Sequence, residues 1–168
     1  LFLLDCGEGT QMQLARYRVK RSRINHIFIS HLHGDHYFGL IGLLTSMGLM
    51  GRENDMHLYA PPALKNIIEL QLQVADTTLP FTLHFHALQH AATLMETDKF
   101  RLRCFPVKHR VACWGCVIEE KKKPRRINKD AVLQYDIPSA FYERLKNGDD
   151  YESRGGDIIK NEWVTLPN

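Results

Sequence analysis

The chain has 168 residues, of which 44% are hydrophobic and 24% are charged. This composition excludes wholesale disorder, and the length suits one domain or a sizeable piece of one. No apolar run approaches the ~20 residues of a membrane-spanning helix, and the four apolar residues before Asp5 are too few for a signal peptide. We therefore expect a globular cytoplasmic chain without membrane contacts.

Strands and helices alternate from the start of the chain. Apolar runs predict strands at residues 2–4, 24–30, 56–60, 81–88, 100–106 and 113–119. Helical spacing of apolar residues predicts helices at residues 11–18, with Thr10 as a cap, at 39–50 and at 61–74. This order favours an α/β fold or a layered α-β sandwich.

The composition changes from residue 121 to about 156, where charge is dense and apolar residues are sparse. We interpret this stretch as an extended arm rather than core, with short helical turns near residues 131–135 and 140–145. Residues 157–166 resemble one or two strands that return to a body.

The net charge of +3 is too small to indicate nucleic-acid binding, but the cations are clustered. One cluster lies within residues 16–23 and another within residues 121–126. Such clusters can contact phosphates or form solvated loops, and charge alone leaves both alternatives open.

The four cysteines, without a secretory segment, indicate a reducing compartment. Cys113 and Cys116 form a single Cys-x-x-Cys pair, whereas a four-cysteine zinc site needs a second pair. Because residues 112–118 predict a buried strand, we interpret both cysteines as core residues rather than redox or metal-binding residues.

The most informative motif is His31-Leu32-His33-Gly34-Asp35-His36, directly after a predicted strand and before a helix. Open α/β sheets place their sites at the carboxyl ends of strands. His31 and His33 suit zinc, and Asp35 and His36 can point at a second ion. The alternative, a surface loop with scattered histidines, rarely produces this spacing by chance. The motif therefore predicts a centre for two metal ions.

The surroundings of this motif resemble the ribonuclease Z (tRNase Z) family of the metallo-β-lactamase superfamily. The resemblance rests on residues 4–11 (Leu-Asp-Cys-Gly-Glu-Gly-Thr-Gln), 31–44, 51–52 and 58–61. It implies an αβ/βα sandwich, with residues 1–120 forming mainly its amino-terminal half. It also implies a zinc endoribonuclease that removes the 3′ trailer from precursor tRNA and leaves a 3′-hydroxyl.

The resemblance also implies ligand roles. His109 would join His31 and His33 on one zinc, although a lone histidine after a strand is by itself a weak indication. Asp35 and His36 would hold the other zinc, and Asp35 would also accept a proton. The two ions would activate water for in-line attack on the scissile phosphate.

A second group of histidines, His84, His86 and His90, lies further along the chain. Strand alternation puts His84 and His86 on one face, which makes them a possible ligand pair. No carboxylate sits beside them in the sequence, and the family gives them no role. We interpret them as an exposed strand face.

Residues 137–148 resemble the flexible arm with which the family grips the tRNA elbow, although Ser139 and Ala140 stand where a Gly-Pro pair is usual. We assign residues 121–156 to this arm and 157–168 to a returning strand segment. The cations expected to hold RNA phosphates are Lys121, Lys122, Lys123, Arg125, Arg126, Arg144 and Lys146. The alternative is a solvated insertion without RNA contacts.

A complete site in this family also needs a bridging aspartate and a last histidine. No histidine follows His109, and no Gly-Asp-Thr-like turn follows a later strand. The chain opens inside an early strand without a methionine. We expect a fragment truncated at both ends, which holds five ligands, binds zinc weakly and cleaves poorly or not at all.

Two other functions are compatible with parts of the sequence. A superfamily hydrolase of thioesters, lactones or β-lactams shares the metal motif but has no need of a basic arm. A non-catalytic tRNA-binding module would keep its RNA affinity after loss of His31 and His33. The family commonly forms homodimers, so the resemblance also implies a dimer.

Overall fold

The structure is a computed structural model that describes residues 1–121 and 123–167. The chain divides into two compact units. The first unit comprises Leu1–Thr97 with Arg101–Glu119, and the second comprises Asp98–Phe100 with Glu120–Asn168. Each unit has a buried apolar cluster of its own. None of the described helices is long and apolar enough to cross a membrane.

The first unit is built on a parallel sheet. Its strands, in spatial order, are β1 (Phe2–Leu4), β2 (His26–Phe28), β3 (Met56–Ala60) and β4 (Leu83–Ala87). The helices between them are α1 (Thr10–Arg16), α2 (Gly34–Tyr37), α3 (Leu40–Leu49) and α4 (Ala63–Val74). Parallel neighbours need crossover connections, and the alternation of strands and helices in the sequence supplies them.

One face of this sheet packs against the helices. The cluster between them contains side chains that are 0% exposed: Ile27 and Leu58 on the sheet, Leu43 and Leu44 on α3, and Leu64 on α4. Each such burial contributes about 1.5–3 kcal/mol. Because this face is buried, a one-residue slip of β2 would expose its apolar side chains, so the pairing register of β2 is strongly specified. The residues that follow β2 are therefore held at a fixed edge of the sheet.

The opposite face carries stacked rings. Phe2, His26, His57 and His84 stack in turn across the four strands, with centroids 4.7, 5.0 and 4.8 Å apart. His86 lies beside them, its Nε2 3.0 Å from His57 Nδ1. We call the four histidines the histidine ladder. Burial, followed by the nearby charges of His57, the N-terminal amine and His86, lowers the pKa of His26 to about 4.

A second sheet contains β5 (Ala92–Glu96), β6 (Phe100–Val107) and β7 (Cys113–Glu120) in that order, with β5 antiparallel to β6. β5 was not predicted, because its residues alternate poorly between apolar and polar. Trp114 on β7 is buried, but Cys113 and Cys116 are only partly buried free thiols. The strand predicted at 112–118 is present as β7, but it is partly rather than wholly buried, and Cys116 packs against the buried cluster that contains Trp114.

The second unit contains short elements. They are β8 (Arg126–Ile127), α5 (Lys129–Gln134), α6 (Tyr142–Asn147), β9 (Tyr151–Glu152), β10 (Ile158–Ile159), α7 (Asn161–Val164) and β11 (Thr165–Leu166). The strands pair antiparallel as β10 with β9 and β11 with β8. Leu145 and Val164 are 0% exposed in a shared cluster with Val132 and Ile159. Residues 121–156, which were predicted to form an arm rather than core, therefore contribute to a core. Their few apolar side chains pack together in this cluster.

The start of α1 differs from the prediction. Gly9, in the left-handed region with φ 83°, precedes the helix, and Thr10 is its first residue rather than its cap. The Thr10 side chain instead hydrogen-bonds the thiol of Cys6, whose pKa burial raises to about 11. The Thr10 hydroxyl therefore stabilises the turn between β1 and α1 and does not cap the helix.

Candidate metal centre

The candidate site lies at the carboxyl end of β2, where the chain runs through residues 29–33 into α2. Ile29 is buried and donates its backbone N–H to the Tyr59 carbonyl at 2.8 Å, which extends the strand alignment beyond Phe28. The turn after β1 closes over this loop, because Cys6 N–H donates to the His36 carbonyl at 2.7 Å. This hydrogen bond joins the turn after β1 to the histidine loop after β2.

Glycine makes this close approach possible. A Cβ on Gly7 would collide with the Asp35 carbonyl, and a Cβ on Gly39 would collide with the Gly7 carbonyl. Only glycine lets the backbones of the β1–α1 turn and of α2 pass this closely. Gly7, in the turn after β1, and Gly39, after α2, therefore determine where the histidine loop lies.

Three imidazoles converge at this loop. His33 Nδ1 lies 3.0 Å from His31 Nε2 and 3.4 Å from His109 Nε2. One ligand atom from each histidine lies within 4.8 Å of the others. His109 comes from the segment between β6 and β7, so the site joins residues far apart in sequence. Three imidazole nitrogens with this spacing fit one zinc ion and leave a fourth position open.

Asp35 and His36 lie next to this cluster on α2. His36 Nε2 is 3.4 Å from Asp35 Oδ2, and the rings of His36 and His31 have centroids 3.9 Å apart. A carboxylate oxygen and an imidazole nitrogen are a partial ligand set for a second ion. Among the described residues, they do not form a group of three or more with further ligands.

Asp5 and Ser30 orient these histidines. His36 Nδ1 lies 2.7 Å from Asp5 Oδ2, and Ser30 Oγ lies 2.9 Å from His31 Nδ1. Ser30 in turn donates its backbone N–H to Asp5 Oδ1 at 2.8 Å and its hydroxyl to Asp5 Oδ2 at 3.0 Å. The carboxylate therefore favours a proton on His36 Nδ1 and leaves Nε2 free to coordinate a metal.

Neither orienting residue was among the predicted site residues. The available signal was that Asp5 ends one strand and Ser30 follows the next, and the carboxyl ends of neighbouring parallel strands meet at one sheet edge.

The surroundings of His31 favour a neutral imidazole at that residue. Burial lowers the pKa of His31, and the nearby His36, His33 and His109 lower it further. Neutral imidazole is the form that binds metal. Because His31 is held in its neutral form, it is suited to bind a cation together with His33 and His109.

Replacing Asp5 with asparagine is expected to weaken zinc binding about 10–100-fold, because an amide holds the Ser30 hydroxyl less firmly and Ser30 orients His31, a ligand of the three-histidine site. Competition with a chromophoric chelator measures the affinity. Asp55→Asn, which removes a carboxylate 2.8 Å from His84 Nε2, is the matched control and should leave zinc affinity unchanged. Equal zinc affinities of the Asp5 variant and the parent would contradict the orienting role.

The second histidine group forms no comparable cluster. His84 Nε2 contacts Asp55 Oδ2 at 2.8 Å, and His86 contacts His57. No carboxylate lies beside these histidines in the sequence, but folding brings one to them, because β3 begins next to the start of β4 and places Asp55 beside His84. His90 is exposed. Among the described residues, His31, His33 and His109 form the single group of three potential ligands.

Those predicted RNA-binding cations that the structure describes lie in the second unit. Lys121, Lys123, Arg125 and Lys146 line an open cavity of ≈ 1210 Å³, together with Lys99 and Lys160. Arg126 and Arg144 are not among its lining residues, and Arg144 pairs with Asp149 at 2.8 Å. Lys122 lies outside the described residues. Glu120, Asp150 and Glu162 also line the cavity, so its charge is mixed with an excess of cations.

The parallel sheet, its helices and the histidine loop define a metallo-β-lactamase fold. A metallo-β-lactamase fold protein from Bacillus subtilis, YhfI, has the same fold, with TM-score 0.51 and 22% identity over 70% of this chain and 46% of its own. Human tRNase Z, short form, superposes with TM-score 0.65 and 32% identity over 73% of this chain and 55% of its own. The predicted α/β sandwich is confirmed.

Sequence comparison gives the family. The family described as "Anti-Pycsar protein Apyc1" matches residues 1–143, and the chain belongs to it. A curated relative named Ribonuclease Z, from Bacteroides thetaiotaomicron, is 43% identical over 100% of this chain and 54% of its own length. The resemblance to ribonuclease Z is thus confirmed, and the chain spans about half the length of such relatives.

Proposed function

We propose that this chain is the metal-binding part of a zinc-dependent endoribonuclease that removes the 3′ trailer from precursor tRNA and leaves a 3′-hydroxyl. The proposal rests chiefly on the cluster of His31, His33 and His109 beside Asp35 and His36, in a chain with relatives named Ribonuclease Z. The enzyme is a phosphodiester hydrolase, and its cofactor is two zinc ions.

The chain's own residues then take distinct roles. His31, His33 and His109 hold one ion, and Asp35 and His36 contribute to the second. When bound, zinc lowers the pKa of water toward about 7 and stabilises negative charge on the phosphate. The Asp35 side chain is 74% exposed, so it can accept a proton from the attacking water.

The second ion has an incomplete ligand set in this chain. No histidine follows His109 in the sequence, and the described residues add no third ligand to Asp35 and His36. We therefore expect this chain alone to bind one zinc more tightly than a second and to cleave poorly.

The cationic cavity of the second unit fits the phosphates of tRNA. Lysine and arginine side chains hold a phosphate backbone without reading its sequence. The presence of six cations around ≈ 1210 Å³ of open space favours this role over a solvated insertion. A small-molecule hydrolase of the same superfamily has no use for such a surface.

A chimera tests the catalytic proposal. This chain replaces the matching part of the Bacteroides thetaiotaomicron ribonuclease Z, and the product ends from a precursor tRNA are mapped. We expect cleavage at the 3′ trailer with a 3′-hydroxyl, abolished by His33→Ala and retained by His84→Ala. A chimera that folds and binds zinc but hydrolyses only a thioester or lactone would assign the chain to another activity.

Precursor-tRNA binding tests the role of the second unit in the chain itself. Replacing Lys123 and Lys146 with glutamine should weaken binding and reduce the slope of log affinity against log salt by about one per lost phosphate contact. The control removes two paired surface cations of the first unit, Lys65 and Arg101. Equal losses in both double variants, measured by filter binding, would argue for unspecific charge attraction.

We also propose a homodimer and a cytoplasmic location. The resemblance to ribonuclease Z implies the dimer, and four free cysteines are compatible with a reducing compartment. Sedimentation equilibrium measures the association. A monomer at concentrations used for activity would reject the dimer for this chain.

A further inference from the structure

Arg110 lies beside the candidate metal centre, although it was not predicted as a site residue. It follows His109, it is exposed, and its Nη2 lies 3.2 Å from His33 Nε2. Within residues 1–121 and 123–167, no carboxylate forms an ion pair with it. The guanidinium therefore carries an unneutralised charge next to residues that attract a cation.

The contact between Arg110 and His33 constrains where the imidazole proton lies. A guanidinium has only N–H donors, so His33 must offer a lone pair at Nε2. In a neutral ring the proton is then on Nδ1. Yet Nδ1 is the nitrogen that faces His31 and His109, at 3.0 and 3.4 Å from their Nε2 atoms.

Metal ligation by Nδ1 reverses this arrangement. A neutral imidazole that coordinates through Nδ1 carries its proton on Nε2, and two donors would then face each other across 3.2 Å. The contact between Arg110 and His33 is therefore incompatible with a metal held by the three inward-facing nitrogens. Arg110 has to leave His33 when the site is filled.

We propose that Arg110 is a phosphate-binding residue that metal loading releases from His33 to bind an oxygen of the scissile phosphodiester. The inference rests on the proposed phosphodiesterase function and adds a substrate-positioning residue to it. A guanidinium matches phosphate geometry through two parallel N–H donors. A bound phosphate also neutralises the charge that Arg110 otherwise holds beside the metal ligands.

Lys108 provides a matched control. It flanks His109 on the other side and is also exposed, but it makes no described contact with His33. If phosphate were bound only by unspecific attraction to positive charge, loss of Lys108 and loss of Arg110 would weaken phosphate binding equally. A directed role depends on Arg110 alone.

The experiment measures binding of inorganic phosphate to the 168-residue chain by calorimetry, with and without zinc, after removal of free metal. Arg110→Gln should weaken phosphate binding to the zinc-loaded chain by about tenfold or more, as expected for a lost charge-assisted hydrogen bond. Arg110→Lys should recover part of the affinity. Lys108→Gln should bind phosphate like the parent, and the zinc-free proteins should show no dependence on Arg110.

Zinc affinity, measured separately by chelator competition, distinguishes this role from a structural one. We expect Arg110→Gln to bind zinc at least as tightly as the parent, because a neighbouring cation has been removed. Weaker zinc binding in that variant, equal phosphate losses in the Lys108 variant, or no zinc-dependent phosphate binding would each overturn the inference. Zinc-dependent phosphate binding through Arg110 in a chain whose chimera does not process tRNA would uphold it and reject the proposed substrate.

Discussion

Replacing His33 with alanine is expected to abolish stoichiometric zinc binding. Its Nδ1 faces both His31 and His109, so the substitution leaves two imidazoles without the central nitrogen between them. The affinity should fall by more than about 100-fold, because outer residues that only orient ligands already contribute about 10–100-fold. Elemental analysis of the purified chain should give about one zinc in the parent and almost none in the variant.

His84→Ala is the control for this substitution. It removes a histidine from the same sheet whose side chain pairs with Asp55 instead of the three-histidine cluster. Its zinc content should equal that of the parent. Two zinc ions in the parent would mean that further carboxylates complete the second site, and unchanged zinc in the His33 variant would refute the three-histidine centre.

The largest loss of stability is expected for Leu58→Ala. Leu58 lies on β3, which has a strand on each side, and its side chain is 0% exposed in the main cluster. Truncation leaves a cavity between the sheet and the helices, and the free energy of unfolding should fall by about 2–5 kcal/mol. Urea unfolding followed by circular dichroism measures this change.

Leu49→Ala makes the same chemical change at the end of α3, where the side chain is 90% exposed. Its free energy of unfolding should stay within about 0.5 kcal/mol of the parent. If both variants lost stability equally, the loss would come from the change of residue type rather than from the buried position of Leu58.

The sequence was most informative where periodicity and burial agree. The bounds of β1 and β3 follow directly from apolar runs ended by Asp5 and by Pro61. The spacing of His31, His33, Asp35 and His36 also predicted a cluster that one short loop can assemble. These features are local, so a single segment contains the information that specifies them.

Long-range contacts account for what the sequence missed. Asp5 meets His36 across 31 positions, and Asp55 meets His84 across 29, because parallel strands align their ends. Hydrogen bonding between distant turns leaves no periodic signal in either segment. The core of the second unit was missed for a similar reason, since Val132, Leu145 and Val164 are isolated apolar residues that meet only after folding.

Within the histidine ladder, His26 makes this protein less stable in mild acid. A free histidine titrates near 6.5, whereas the pKa of His26 is lowered to about 4, so the unfolded chain takes up the proton first as the pH falls. Stability that is intact above pH 6.5 is thus lost progressively toward pH 4. Acidic elution or storage buffers would place a proton, and so a positive charge, on His26 within these stacked rings, and neutral to slightly alkaline handling avoids this.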